Sequence, residues 1–362
     1  MANKEEHSGL TEDLHLYGKN KFYFTHSEKQ EQAEQDLNNQ IAAALQKLGI
    51  DPAQLSAEDF ETLKVGVIEK ELKARGCTDE YLEQLKATAQ EEVKEKIEQH
   101  QQYVNSFHVV KGGAVMETIA IVNRKGGVAK TATAWALGAG LKRKGYSVLY
   151  VDLDSQQNLS YGLGADPAGL NSMDLLTGDT TAPEAIQHTL QGDVIPGAEA
   201  LAGADAIIDG TGKEYRLKEA LKGLQYDYCI LDTPAALGTL TVNALTAATS
   251  VVIPVQPDID SLQGLAQLNK AITAVKKYCN KKLQIRGILI TRYNGRAVIS
   301  RDMQSNLAEV APQMHTRLYS TPIRECSAVK EAKASRQDIF TYSPRSNAAK
   351  DYEAFVEEFL EN

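Results

Sequence analysis

Cysteine is scarce in this chain: Cys77, Cys229, Cys279 and Cys326 are spread through 362 residues, with no C-x-x-C pair. That spacing excludes a disulfide framework and a thiolate metal site, and fits reduced thiols in the cytoplasm. Long hydrophobic runs are missing as well, since no apolar stretch approaches the ~20 residues that span a bilayer. The opening MANKEEHSGLTEDLHLYG lacks the basic-then-apolar pattern of a signal peptide. No Ser/His/Asp constellation is legible, and the histidines are scattered; His26, His100, His108, His188 and His315 read as surface residues. What remains is 43% hydrophobic and 24% charged, the composition of a soluble globular protein with length enough for two domains.

Residues 119–135, IAIVNRKGGVAKTATAW, read as an apolar strand, a glycine-bearing turn with two lysines, and a helix start. Such a turn wraps a polyphosphate, because successive backbone N–H groups and the helix N-terminus all face negative charge. Lys130 supplies a cation for the β and γ oxygens, and the Thr131 hydroxyl completes a magnesium shell. The strict G-x-x-x-x-G-K-[ST] pattern is broken, with Arg124 and Ala129 in its two glycine positions. The Cβ of Ala129 predicts a negative φ there, Gly126 and Gly127 supplying the freedom of the turn. Two further motifs follow. YSVLYVDLD (146–154) is a buried strand ending in Asp152 and Asp154, which the i, i+2 spacing sends to one side at the end where open parallel sheets bind ligands. YDYCILDTPA (226–235) is a second apolar strand delivering Asp232 at its tip, a Walker B arrangement that anchors Mg²⁺.

Together these resemble the ParA/MinD family of deviant Walker A ATPases, whose signature is K-G-G-x-x-K-[ST], and most closely its ParA/Soj-type partition proteins. The resemblance covers residues 116–362. It implies an α/β P-loop fold with a mostly parallel sheet flanked by helices, and ATP with Mg²⁺ as cofactors. Lys125 then corresponds to the lysine that crosses a dimer interface to the partner's ATP, and Lys130 to the lysine acting within its own subunit. The backbone of Gly126, Gly127, Val128, Ala129, Lys130, Thr131 and Ala132 holds the phosphates. Thr131, Asp152 and Asp232 hold magnesium, Asp152 through water, and Asp154 orients the attacking water; Ser155 departs from the family's proline. Downstream, SVVIPVQPDIDSLQGLAQL (250–268) resembles the next strand and helix, and RGILITRYNGR (286–296) the strand with the adenine-side loop, where Arg292, Tyr293 or Asn294 borders the base. The segment beginning TPIREC follows the family order of strand, loop, linker and final helix.

Charge is distributed unevenly along a chain of net charge −9. Residues 270–350 hold 16 Lys and Arg against 5 Asp and Glu, while residues 1–115 hold 13 against 21. A basic block inside an acidic protein is the footprint of a polyanion-binding face. The resemblance implies nonspecific DNA binding there, with Arg296, Arg324 and Arg345 as the candidates.

Residues 1–115 carry helical periodicity instead of phosphate motifs. Ser27–Gln30 forms a capping-box pattern, and helices are expected from there, from Ser56 and from Thr78 to about Tyr103. A helical bundle or half of a coiled coil both fit, with oligomerisation or partner binding as the role. Lys111-Gly112-Gly113 ahead of Met116 can be encoded as a purine-rich tract before a start codon, so either an additional short form beginning at Met116 or a fused or mis-extended upstream frame is a further expectation.

The reading as a whole is an ATP-dependent homodimer, a slow, partner-stimulated ATPase that binds DNA nonspecifically and partitions plasmid, chromosome or mobile-element DNA with a ParB-like activator. It is expected to be cytoplasmic, nucleoid-associated and free of membrane. The alternatives are MinD-like positioning, against which the acidic DYEAFVEEFLEN ending argues, and an ATP-gated adaptor acting through the N-terminal helices. An electron-transfer relative would need cysteines bridging a dimer, whereas Cys229 lies within an apolar strand.

Overall fold

A computed structural model describes residues 116–361. The helices expected between Ser27 and Tyr103 lie outside the described residues.

Seven strands form one sheet: β1 (Glu117–Ile121), β2 (Val148–Asp152), β3 (Gln187–Thr189), β4 (Gly192–Ile195), β5 (Tyr228–Asp232), β6 (Ser250–Val255) and β7 (Gln284–Ile290). Their order is β3-β4-β2-β5-β1-β6-β7, and every pairing is parallel except β3 with β4. A parallel sheet covered on both faces needs strands that are apolar throughout. VLYVD of β2 and SVVIPV of β6 are buried at every residue. Alternate residues feed opposite cores: Leu149 and Val151 pack on one face, Val148 and Tyr150 on the other.

Helix α1 (Lys130–Arg143) follows β1 and packs beside the C-terminal helix α2 (Asn347–Leu360). In α2 the residues Ala348, Tyr352, Phe355 and Phe359 recur at helical spacing and are all buried, so this helix belongs to the core. Its start is capped by Ser346, whose hydroxyl accepts from the Ala349 N–H at 3.2 Å. The strand expected in the TPIREC segment does not form a ladder. Instead the chain runs past β7 with isolated bridges, Ile288 to Leu318 and Tyr293 to Arg324.

The β1–α1 turn departs from expectation at one backbone position. Ala129, directly before α1, sits in the left-handed region at φ 61° and ψ 33°, not at negative φ. Gly127 shares that region at φ 74°, so the turn needs two left-handed residues and only one is glycine. An L-residue there suffers a Cβ–carbonyl clash of roughly 1–2 kcal/mol. Ala129→Gly is therefore expected to stabilise the protein by about 1 kcal/mol, raising the thermal midpoint by roughly 2–4 °C. Calorimetry of the two proteins checks it, an equal or lower midpoint counting against the strain.

Candidate active site

Parallel register brings the acidic strand ends together. Asp232 at the tip of β5 is the Cα partner of Asp152 on β2 and of Ile121 on β1. The phosphate-loop sequence leaves β1 at that level, so the loop, Asp152 and Asp232 share the carboxyl edge of three adjacent strands. Neighbouring segments fasten the loop. The Asn123 side chain donates to the Pro254 carbonyl at 2.7 Å and its Oδ1 accepts the Lys125 N–H at 3.0 Å. Thr233 donates to the Ile121 carbonyl at 2.8 Å, and Thr291 to the Val128 carbonyl at 3.0 Å. Arg292, itself left-handed at φ 50°, reaches the Gly127 carbonyl at 3.3 Å and pairs with Glu325 at 2.9 Å.

The two lysines occupy different environments. Lys130 is 8% exposed and its ammonium donates to the Lys125 carbonyl at 3.3 Å. Burial lowers its pKa, opposed by the charges of Asp232 and Asp154. The Lys125 side chain remains 33% exposed and forms an ion pair with Asp258, in the loop after β6. Burial at Asp258 opposes ionisation, but hydrogen bonds from Lys125 and Ser261 outweigh it and hold the carboxyl below its usual range.

The acidic residues also differ. Asp232 is fully buried and neither carboxylate oxygen has a hydrogen-bond partner. Desolvation, together with the nearby Asp152, pushes its pKa well up. The Thr131 hydroxyl and Lys130 pull it down, the hydroxyl without reaching full hydrogen-bond geometry. A buried carboxylate left in that state is costly unless a cation compensates it. Asp232 with Thr131 alongside thus fits a magnesium ion through hard oxygen donors. Asp152, expected among the magnesium holders, has its oxygens engaged elsewhere: Oδ1 accepts from Asp154 N at 3.0 Å, and Oδ2 from Ser160 N and Oγ at 2.9 and 2.7 Å. Asp154 lies past the strand end, half-buried, its Oδ1 accepting from Gln156 N at 3.1 Å.

Other expected residues are dispersed. Asn294 is exposed in the loop after β7, where its side chain accepts from Arg296 N at 3.1 Å. Arg296 and Arg345 are exposed. Arg324 differs from the expectation of a free phosphate-binding cation, because its guanidinium clasps Asp351 of α2 through contacts of 2.6–3.2 Å. Several other members of the basic block are also engaged internally: Arg286 pairs with Glu117, Arg317 donates to the Glu358 carbonyl, and Lys333 to Asn158. Asn123, Asp258, Ser160 and Thr291 were not singled out from sequence. Only Asn123, a polar residue directly after an apolar strand, offered a visible cue.

Residues 116–285 match a family described as AAA domain. The sporulation initiation inhibitor protein Soj of Bacillus subtilis is 39% identical over 251 residues, covering 67% of this chain and 98% of that protein. The chain belongs to the ParA/MinD family of ATPases. A second relative, the chromosome-partitioning ATPase Soj of Thermus thermophilus, is 36% identical across 68% of this chain and 96% of its own. Among solved structures, cobyrinic acid a,c-diamide synthase of Mycobacterium smegmatis with ADP and magnesium is 34% identical, with TM-score 0.59 and coverage of 68% and 95%. The McdA–ATP complex of Cyanothece is 25% identical, with TM-score 0.61 and coverage of 69% and 98%. The ParA-family site here is therefore an ATP and Mg²⁺ site, and the protein is a partition-type ATPase.

Asp232→Asn removes the buried ionisable carboxyl while keeping the shape. In protein free of nucleotide and metal, the thermal midpoint is expected to rise by roughly 2–4 °C, in line with about 1 kcal/mol. Magnesium-dependent nucleotide binding should weaken at least tenfold. A lower metal-free midpoint would contradict the account of an uncompensated carboxylate.

Proposed function

We propose that ATP binding joins two copies of this chain, that the joined form holds DNA nonspecifically, and that hydrolysis separates it again, partitioning a DNA cargo. The observation that carries this reading is the contrast between the lysines: Lys130 is enclosed beneath the loop, while Lys125 stands at its rim with an ion pair able to exchange partners. Within one subunit Lys130 already answers the phosphates, so a second, outward lysine is suited to another subunit's triphosphate. Thr131 and Asp232 hold the magnesium, and the bound ion would neutralise the β and γ oxygens. Asp154 accepts a hydrogen bond from the attacking water and orients it. Asn294 and its neighbours in the loop after β7 border the base.

The DNA-binding surface draws on the exposed part of the basic block, with Arg296 and Arg345 foremost and Arg324 contributing only what its Asp351 pair leaves. A ParB-like partner stimulates turnover, consistent with a relative named as a chromosome-partitioning ATPase. Residues 1–115 form a separate region for oligomerisation or partner binding, and the protein works in the cytoplasm on the nucleoid. MinD-like positioning is disfavoured because α2 turns Phe355, Val356 and Phe359 into the core and exposes Glu353 and Glu357. Among the described residues no helix is long and apolar enough to cross a membrane.

Sedimentation with a nonhydrolysable ATP analogue tests the dimer. Lys125→Ala is expected to stay monomeric while binding nucleotide within a few-fold of wild type. Asp258→Asn, which frees the lysine from a part-exposed pair, should dimerise at about threefold lower protein concentration. A Lys125→Ala dimer would defeat the reading. In DNA titrations with ATP, Arg296→Ala and Arg345→Ala should each weaken binding several-fold regardless of sequence and flatten its salt dependence. Unchanged affinity with both substitutions combined would remove the basic block from the DNA surface.

A further inference from the structure

We propose that Ser160 is a positioning residue for hydrolysis. Acting through the Asp152 carboxylate, it fixes the turn that presents Asp154, and Asp152 serves as the clamp at the centre of that turn. The inference rests on Asp154 being the group that orients the attacking water.

Four contacts converge on the clamp. Asp152 Oδ1 accepts the Asp154 backbone N–H at 3.0 Å, which ties the turn to the end of β2. Oδ2 accepts both the N–H and the hydroxyl of Ser160, at 2.9 and 2.7 Å, so the carboxylate cannot swing away from Asp154. The Ser160 oxygen in turn accepts the Gly197 N–H at 2.9 Å. Ser172 donates to the Asp152 main-chain carbonyl at 2.7 Å. Asp152 is buried completely and Ser160 to 4% exposure.

Gly197 shows how little slack the arrangement has. A Cβ built on it would stand 2.9 Å from the Asp154 carbonyl oxygen and 3.1 Å from Asp152 Cγ, so the loop after β4 touches the Asp154 turn through bare backbone. Charge-assisted hydrogen bonds onto a buried carboxylate are the strong kind. With three such donors on Asp152 and none on Asp232, the two neighbouring carboxylates divide their labour. One organises protein and the other is left for the cation.

The test uses the full chain and three readouts: kcat and KM for ATP, magnesium-dependent binding of a fluorescent ATP analogue, and the thermal midpoint. Ser160→Ala is expected to lower kcat about tenfold, because small displacements of a water-orienting group cost that much or more. KM and the magnesium concentration for half-maximal analogue binding should stay within twofold. Ser160→Thr, which keeps the hydroxyl, should recover most of the turnover. If Ser160→Ala is not folded, Ser172→Ala is read in its place, with kcat lowered about threefold and magnesium dependence again unchanged. Wild-type kcat in the folded variant, or a magnesium requirement raised more than fivefold, overturns the proposal. Asp154→Ala run alongside separates the two ideas. An inactive Asp154→Ala with a fully active Ser160→Ala sinks only the positioning role, whereas an active Asp154→Ala sinks the reading beneath it.

Discussion

Burial of the Asp232 carboxylate without a hydrogen-bond partner is the constraint on which the rest of the site depends. A lone ion in a low-dielectric interior is unfavourable, so folding the free chain into this shape leaves an electrostatic deficit at one point. The sheet order creates that point. Because β5 lies between β2 and β1, the acidic ends of two strands meet the phosphate loop of the third. Lys130 offsets part of the deficit, yet its own ammonium is poorly solvated and its pKa is lowered by burial. Neither charge is satisfied by the other, and a magnesium-bound triphosphate supplies the missing cation and anion together.

The deficit also explains why so much of the surrounding structure is spent on holding backbone. Asn123 ties the loop to the Pro254 carbonyl of β6, while Thr233 after β5 and Thr291 and Arg292 after β7 each fix a carbonyl of the loop or its flanks. An anion-binding turn works through N–H groups aimed in advance, and free rotation of the loop would dilute that aim. Ala129 adds strain to the same turn. A left-handed alanine persists only where the structure around it over-determines the conformation, and these fasteners from β5, β6 and the loop after β7 provide that.

Much of this was legible in the sequence. The apolar runs ending in Asp152, Asp154 and Asp232 marked strand tips, because only strands buried on both faces carry such runs in a parallel sheet. The lysine pair around Gly126 and Gly127 marked the loop. What escaped was whatever depends on register between distant segments. Asp258 stands 133 positions from Lys125, and no local pattern announces that they meet. Arg324 counted toward a basic surface because composition records charge and not pairing, and Asp351 lies 27 residues on, across a turn that spacing alone does not fold. Ala129 takes a positive φ against its residue type for a related reason. Propensity says what alanine prefers, while the loop's closure decides what it adopts. Residues 1–115 offered periodicity without any polar constellation, which supports only an expectation and leaves their work unassigned.

The difference between the two lysines follows from the same physics that isolates Asp232. An ammonium placed under the loop loses solvent and gains meaning only when phosphate arrives. One placed at the rim keeps a third of its side-chain surface in water and answers to whichever anion approaches it. In the free subunit that anion is Asp258, a part-exposed carboxylate whose hold is worth at most about 1 kcal/mol. A triphosphate carries several negative charges and, if two subunits closed around it as proposed, would interact with the lysine in a far less screened setting. In the proposed dimer the exchange from Asp258 to phosphate would then be favoured only when nucleotide and a second subunit coincide. On that proposal a rim lysine with a weak internal partner would make association conditional on the fuel, and loss of the γ-phosphate would return it to Asp258.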